Sequence, residues 1–252
     1  NIIDNMQALD NFLADFSSIS AKKILIHGGG KLATELSSQL GIETKMVEGR
    51  RITDEATIRI VTMTYAGFVN KTIVAKLQAK KTNALGLSGA DAKLIPAVKR
   101  PVKDIDYGFV GDIEKSAVNA IFLKDILSLE ITPVIAPISA DENGQLLNIN
   151  ADTIAKTVAE AMTNFYNVTL VYCFEKNGLL CDVNDDTSVI SEIDFSQAET
   201  LKLNGTITAG MIPKVDNALE AISNGVSSVV IGHAKDILQI ARNNTHFGTR
   251  IK

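Results

Sequence analysis

The sequence predicts an α/β protein whose parallel β-sheet is covered by helices. Short β-branched or apolar runs alternate with longer helical patterns along the 252 residues, and this alternation is typical of βαβ units. Several runs, such as TPVIAPI at 132–138, are apolar throughout. Strands that are buried on both faces of a parallel sheet have this composition.

Hydrophobic periodicity predicts the individual elements. At 9–16, apolar residues recur at i, i+3, i+4 and i+7, which indicates an amphipathic helix. The other expected helices lie at 32–40, 55–81, 116–128, 151–162, 196–203, 214–224 and 235–243. The expected strands lie at 23–26, 44–49, 83–89, 132–138, 145–150, 167–174 and 227–232, with turn and hairpin signals at 97–113. The chain is expected to divide near Asn164, where the second half restarts with its own strand.

Composition excludes several classes of protein. The net charge is −4, with 46% hydrophobic and 21% charged residues. The sequence has no basic stripe, so no nucleic-acid partner is expected. No apolar run approaches the ~20 residues that span a membrane, so no membrane partner is expected. The two cysteines, Cys173 and Cys181, lack metal-ligand spacing and are expected to be free thiols in a reducing cytoplasm.

Three consecutive glycines, Gly28 to Gly30, stand between a predicted strand and a predicted helix in KILIHGGGKLATEL. The first N–H groups of a helix have no intrahelical partner, and glycine lets an anion approach the backbone without meeting a Cβ. A plain tight turn would also explain the glycines. The pattern therefore indicates a candidate anion site.

Two kinds of enzyme fit these glycines. Gly28-x-Gly30-x-x-Ala33, with Glu48 about 20 residues downstream, matches a loose dinucleotide fingerprint and suggests an NAD-dependent oxidoreductase. The turn also fits a phosphate cradle in a kinase, although the chain has no Walker A motif.

Three further segments lie at strand–helix junctions. GRRITDE at 49–55 supplies two arginines that suit a carboxylate, NINAD at 148–152 supplies amides and a carboxylate, and TAGMIPK at 208–214 places Lys214 at a helix start. Taken singly, the arginines fit surface charge, Asn150 or Asp152 fits a helix cap, and the lysine fits a solvated side chain. Together they favour one ligand site, because the junctions of a parallel sheet gather along one edge.

The chain resembles the amino acid kinase family, and within it the members that phosphorylate an N-acylated glutamate. The resemblance spans nearly the whole sequence, and NINAD followed about sixty residues later by GMIPK is its most specific part. The matching segments are HGGG (27–30), GRRITDEA (49–56), NKTIVAKL (70–77), GLSGAD (86–91), GQLLNINAD (144–152), GMIPKV (210–215) and FGTRI (247–251).

The resemblance implies a three-layer αβα sandwich with a mainly parallel open central sheet. It implies transfer of a phosphoryl group from ATP, with Mg²⁺ carried by the nucleotide, to the side-chain carboxylate of N-acetyl-L-glutamate in arginine biosynthesis. Residues 1–164 would form an N-terminal lobe for acyl-glutamate binding and dimerisation, and 165–252 a C-terminal lobe for ATP binding. A homodimer built on the helix around residues 70–77 is expected.

The resemblance also implies roles for individual residues. Gly29 and Gly30 match the glycines whose amides hold the transferred phosphoryl group, and Arg51 and Asn148 match the residues that hold the amino-acid substrate. Asp152 matches an aspartate that orients catalytic lysines, and Lys214 matches a transition-state lysine. The nucleotide-binding segments fall on Glu175, Lys176, Asn177, Gly178, Leu179, Leu180, Thr206, Ile207 and Thr208.

Three departures from the family pattern carry expectations. Family members open with an apolar strand that carries a catalytic lysine, and we expect such a strand to precede Asn1. Without it, the chain would be a non-catalytic ligand-binding module. Glu175 replaces an aspartate, and its longer carboxylate is still expected to meet nucleotide hydroxyls. Arg50 replaces an apolar residue, and is either a solvent-facing charge or a contact for N-succinyl-L-glutamate as an alternative substrate.

Overall fold

The computed structural model describes residues 2–47, 49–113, 117–182, 184–207 and 211–252. The helices in these ranges are α1 (Met6–Ser17), α2 (Gly30–Gln39), α3 (Glu55–Thr62), α4 (Asn70–Ala79), α5 (Ala120–Ser128), α6 (Ala151–Met162), α7 (Phe195–Leu203), α8 (Ile212–Ser223) and α9 (Ile237–Ala241). The strands are β1 (Leu25–Ile26), β2 (Met46–Val47), β3 (Arg50–Arg51), β4 (Ala84–Ser88), β5 (Ala97–Lys99), β6 (Gly111–Ile113), β7 (Thr132–Ala136), β8 (Ile138–Ala140), β9 (Leu146–Asn148), β10 (Thr169–Phe174), β11 (Glu192–Ile193), β12 (Ser228–His233) and β13 (Thr249–Ile251).

The chain forms two compact units. The central unit is Ser20–Ile154, and the terminal unit joins Asn1–Ile19 to Ala155–Lys252. Helix α1 belongs to the terminal unit because it packs against α9. The boundary between these compact units lies within α6. The division of the chain near Asn164 and the ligands assigned to the two lobes stay predictions.

The central unit contains a parallel sheet in the order β1–β7–β4, with Val134 of β7 between Leu25 and Gly86. All five residues of β7 are buried, which explains its continuous apolar run. Three antiparallel hairpins, β2–β3, β5–β6 and β8–β9, complete the described strands of this unit. They supply the walls of the candidate site.

The terminal unit contains a sheet in the order β10–β12–β13–β11. Strands β10 and β12 pair in parallel over six residues, and β13 runs antiparallel to β12. Its core includes Leu170, Val229, Ile231 and Ile251. The predicted α/β class with a mainly parallel sheet is confirmed: the β1–β7–β4 sheet is parallel throughout, and the terminal sheet has two parallel strand pairs and one antiparallel pair.

The helix predicted at 55–81 is not a continuous α-helix. Asp54 caps α3 by accepting from the Thr57 N–H, and a π-helical segment, Met63–Val69, then separates α3 from α4. A π-turn spaces inward side chains five residues apart, and Tyr65 and Asn70 are both buried at that spacing. The prediction of one continuous α-helix from hydrophobic periodicity was therefore wrong at this segment, where the spacing of the buried residues changes. Within the ranges above, no helix has the length and apolar character to cross a membrane.

Candidate functional site

A cavity of about 240 Å³ in the central unit brings the predicted substrate-binding residues together. Gly29, Gly30, Arg51 and Asn148 all line it. The other described lining residues are Gly28, Met46, Gly49, Arg50, Tyr65, Arg100, Val110, Gly111, Asp112, Pro137, Ile149, Asn150, Ala151 and Thr153. The charged groups among them are three guanidinium groups and one carboxylate, so the cavity favours an anionic ligand.

The glycine turn joins β1 to α2. Gly29 is the N-cap residue of α2 with φ of 150°, a backbone conformation that residues with a Cβ rarely adopt. A Cβ at this position would also lie 2.9 Å from Cδ1 of Tyr65. Because the N-cap residue is a glycine, no N-cap side chain accepts from the first backbone N–H groups of α2. These N–H groups are therefore suited to bind an anion.

Arg51 is buried while its neighbour Arg50 is exposed, because successive side chains of a strand point to opposite faces. Nη2 of Arg51 donates to the Gly30 carbonyl oxygen and to Oγ1 of Thr34, both at 2.8 Å. Nη1 donates to Oγ1 of Thr44 at 3.1 Å. These bonds hold a positive charge beside the first turn of α2.

Asn148 is held at the end of β9 by two hydrogen bonds. Its backbone N–H donates to the carbonyl oxygen of Phe109 at 2.8 Å, and its Nδ2 donates to Oγ1 of Thr53 at 3.1 Å. Thr53 is fully buried and donates in turn to the Arg51 carbonyl oxygen at 3.0 Å. A chain of two hydrogen bonds thus links the Asn148 side chain, through Thr53, to the backbone of Arg51.

Sequence reasoning missed four polar residues of the cavity, Tyr65, Arg100, Asp112 and Thr153. The Nε of Arg100 donates to both oxygens of Asp112 at 3.1 Å, and this carboxylate raises the pKa of Arg100. The 97–113 hairpin signal located both residues but gave no indication of their partner. Tyr65 is delivered by the π-helical segment, and burial raises the pKa of its hydroxyl. Nothing in the sequence signals that segment.

NINAD has two functions in the structure. The side chain of Asn150 accepts from the N–H groups of Asp152 at 2.7 Å and Thr153 at 3.3 Å, so it caps α6 as the sequence suggested. Asn148 and Asn150 both line the cavity, and Asn148 is the one predicted to bind the substrate. Asp152 lies in the first turn of α6 within the central unit.

The predicted nucleotide-binding segment follows β10 in the terminal unit, at the carboxyl edge where β10 and β12 end together. The Leu179 N–H donates to Oγ1 of Thr249 at 2.8 Å, and a Cβ on Gly178 would lie 2.7 Å from the same atom. Glu175 is close enough to His233, at the end of β12, to affect its pKa, which burial lowers. The segment therefore lies at the ends of β10 and β12, beside the first residue of β13.

The remaining predicted residues differ in what the structure describes. Lys176 forms an ion pair of 2.7 Å with Asp186, and Asn177 donates to the carbonyl oxygen of the same residue at 3.1 Å. Thr208 and Glu48 lie outside the described residues. Leu180 forms an isolated antiparallel β-bridge with Val189. The Thr206 N–H donates to Oδ1 of Asn204, and Ile207 is buried.

Lys214 lies in the first turn of α8, next to Pro213. Its Nζ lies 5.6 Å from the ring centroid of Tyr172 on β10, within the range of a cation–π contact. The side chain thus lies beside a core residue of β10, the strand that precedes the predicted nucleotide-binding segment. Its predicted role as a transition-state lysine stays a prediction.

Solved structures share this fold. An N-acetylglutamate synthase from Neisseria gonorrhoeae, in complex with coenzyme A and N-acetyl-glutamate, matches 99% of the chain and 57% of its own with a TM-score of 0.82 at 21% identity. A carbamate kinase from Giardia lamblia, bound to AMP-PNP, matches 97% of the chain and 89% of its own with a TM-score of 0.67 at 16% identity.

Sequence relatives are closer. A protein from Phocaeicola vulgatus and one from Cytophaga hutchinsonii, both named acetylglutamate kinase, are 54% and 53% identical to the chain over its full length and over 95% of their own. The model of the amino acid kinase family matches residues 1–233. Because this model covers most of the chain and the two relatives are more than 50% identical over its full length, the chain belongs to the amino acid kinase family.

Proposed function

We propose that the chain transfers the γ-phosphoryl group of ATP to the side-chain carboxylate of N-acetyl-L-glutamate, giving N-acetyl-L-glutamyl 5-phosphate and ADP. The observation that carries this proposal is the cavity in which the glycine turn, Arg51 and Asn148 meet. Relatives named acetylglutamate kinase, more than 50% identical over the whole chain, support this substrate.

The charge of the cavity suits the substrate. N-acetyl-L-glutamate carries two carboxylates, both ionised at neutral pH. Arg51 is buried and planar, so it offers a carboxylate a preorganised and weakly hydrated partner. Asn148 supplies a neutral amide that matches the acetamido group in hydrogen-bonding capacity.

The reaction needs positioning more than covalent help. One oxygen of the side-chain carboxylate forms a bond to the γ-phosphorus while the bond from that phosphorus to the bridging oxygen of ADP breaks. The carboxylate is already ionised, so no general base has to remove a proton. The N–H groups of Gly29 and Gly30 are proposed to hold the transferred phosphoryl oxygens, and fixed donors of this kind act without reorganisation.

The nucleotide side of the reaction is proposed from the terminal unit. The segment from Glu175 to Leu180 is offered as the ATP-binding loop, and Lys214 as the cation that neutralises charge on the phosphoryl group. Asp152 is proposed to orient lysine side chains. Mg²⁺ carried by the nucleotide would supply positive charge that stabilises the leaving ADP.

The remaining alternatives receive less support. The names of the relatives do not favour N-succinyl-L-glutamate, and family membership leaves the oxidoreductase alternative without support. A homodimer built on α4 and a cytoplasmic location are further proposals. The cytoplasmic location is supported by Cys173 and Cys181, which are free thiols.

The test is an assay of ADP release with ATP, Mg²⁺ and N-acetyl-L-glutamate, glutamate or aspartate as acceptor. Trapping with hydroxylamine identifies an acyl phosphate as the product. We expect ADP and hydroxamate with N-acetyl-L-glutamate and much less with the two free amino acids. ADP release that does not depend on an acceptor, or none at all, would contradict the proposal.

A further inference from the structure

His27 joins β1 to the glycine turn and is buried, with only 5% of its surface exposed. Both of its ring nitrogens have partners. Nδ1 lies 2.8 Å from the carbonyl oxygen of Gly28, and Nε2 lies 3.1 Å from Nδ2 of Asn70. The ring therefore connects the first residue after the π-helical segment to the backbone of the glycine turn.

The partners determine the tautomer. A carbonyl oxygen only accepts, so Nδ1 of His27 must carry the proton and donate to Gly28. The orientation of the Asn70 amide is determined at both ends, because its Nδ2 donates to the Val134 carbonyl oxygen at 2.9 Å and its Oδ1 accepts from Nζ of Lys71 at 3.2 Å. Asn70 thus donates to Nε2, which accepts only in the neutral ring.

The environment keeps the ring neutral. Burial lowers the pKa of His27 to about 4, against a smaller opposite effect of its hydrogen bond to Gly28. Asn70, 1% exposed, also connects the ring to β7, the middle strand of the central-unit sheet. The hydrogen bonds that hold the ring therefore lie in the buried interior of this unit.

Holding the Gly28 carbonyl has a direct consequence for the next amide. The Gly28–Gly29 peptide is trans, so its C=O and N–H groups point in opposite directions. With the carbonyl oxygen directed at the buried ring, the Gly29 N–H is directed away from it. His27 is absent from the described lining of the cavity, whereas Gly28 and Gly29 are part of it.

We propose that His27, held by Asn70, is a positioning residue that turns the Gly29 N–H towards the phosphoryl group. This role deepens the proposed function and rests on it. The imidazole touches no substrate and transfers no proton. It keeps one backbone donor preoriented, and donors that need no reorganisation are the ones that lower a barrier.

The tautomer is tested first, without any assay of activity. Long-range ¹H–¹⁵N spectra of the ¹⁵N-histidine-labelled chain at pH 7 distinguish Nδ1–H from Nε2–H rings, and His233→Gln and His246→Gln variants assign the third ring to His27. We expect the Nδ1–H form with no titration between pH 6 and 8. An Nε2–H ring, or one that titrates near its ordinary pKa, would overturn the inference even if the chain is an active kinase.

Kinetics then separate positioning from packing. His27→Asn places a donor where Nδ1 stood, whereas His27→Leu has none, and Ser139→Ala serves as a control that removes another buried hydrogen bond of this unit. We expect His27→Leu to lower kcat about 30- to 300-fold with KM for N-acetyl-L-glutamate within about threefold, because a misdirected N–H loses most of the factor of about 10²–10³ that one oxyanion donor supplies.

His27→Asn should keep kcat within about tenfold of the wild type, and Ser139→Ala should lower stability while kcat stays within about twofold. Equal kcat values for the two His27 variants, measured per folded protein, would show a structural role only and would overturn the proposal. An inactive wild-type chain would refute the proposed function. The tautomer measurement would still show whether Nδ1 of His27 carries the proton and donates to Gly28.

Discussion

Gly29 and Gly41 form a matched pair at the two ends of α2, and replacing each by alanine tests the glycine turn. Both have a positive φ, 150° at Gly29 and 70° at Gly41. A Cβ on Gly41 would meet nothing within 4 Å, whereas one on Gly29 would lie 2.9 Å and 3.2 Å from two ring carbons of Tyr65. Only the first position combines backbone strain with a steric collision.

The expected cost follows from these two terms. Gly41→Ala should lower the free energy of unfolding by about 1–2 kcal/mol, the cost of a left-handed conformation for a residue with a Cβ. Gly29→Ala should lower the free energy of unfolding by about 2–6 kcal/mol. About 1–3 kcal/mol of this comes from the strained backbone and about 1–3 kcal/mol from overpacking against Tyr65. Urea unfolding followed by circular dichroism measures the difference.

Activity should separate the two variants further. The Gly29 N–H is a proposed phosphoryl donor, so Gly29→Ala should lower kcat/KM at least about 100-fold, while Gly41→Ala should stay within about twofold of the wild type. Coupled ADP-release assays measure both values on protein that is shown to be folded. If the two variants lose the same stability and the same activity, the reasoning about this turn is refuted.

Three other predictions concern buried or half-buried groups. The pKa of His27 is lowered to about 4 from an ordinary 6.5. The unfolded chain therefore binds more protons between those values, and about 3 kcal/mol of stability present above pH 6.5 should be lost on acidification to pH 4. Unfolding titrations should show this slope reduced in His27→Asn, and an unchanged slope would contradict it. Burial raises the pKa of the Cys173 thiol to about 12, so a thiol reagent should label the exposed Cys181 quickly and the half-buried Cys173 much more slowly. Fast labelling of two thiols would contradict this. Lys214→Ala should lower kcat more than about 100-fold and the free energy of unfolding by less than about 1 kcal/mol, and an unchanged kcat would remove this lysine from the mechanism.

The sequence predicted the elements well because their causes are local. The apolar run of β7, the cap at Asn150 and the strand ending at the glycine turn all follow from short-range patterns. Likewise, the buried Arg51 and exposed Arg50 follow from strand alternation once the hairpin is known. The four substrate-binding residues predicted for the cavity do line it.

The rest depends on contacts between distant segments. The π-helical segment has no signal in hydrophobic periodicity, so the position of Tyr65 against Gly29 was not predictable. The role of His27 required the distance to Asn70, 43 positions away in the chain. Helix α1 joins the terminal unit through its packing with α9, which no local pattern encodes.

The most direct measurement is the amide spectrum of the glycine turn. In the ¹⁵N-glycine-labelled chain, N-acetyl-L-glutamate added with Mg²⁺ and a non-hydrolysable ATP analogue should move the Gly29 and Gly30 amide protons downfield, because each gains an anionic acceptor. The Gly41 and Gly144 amides, which do not line the cavity, should stay in place. Unmoved Gly29 and Gly30 signals at saturating ligand would contradict the claim that this backbone holds the phosphoryl group.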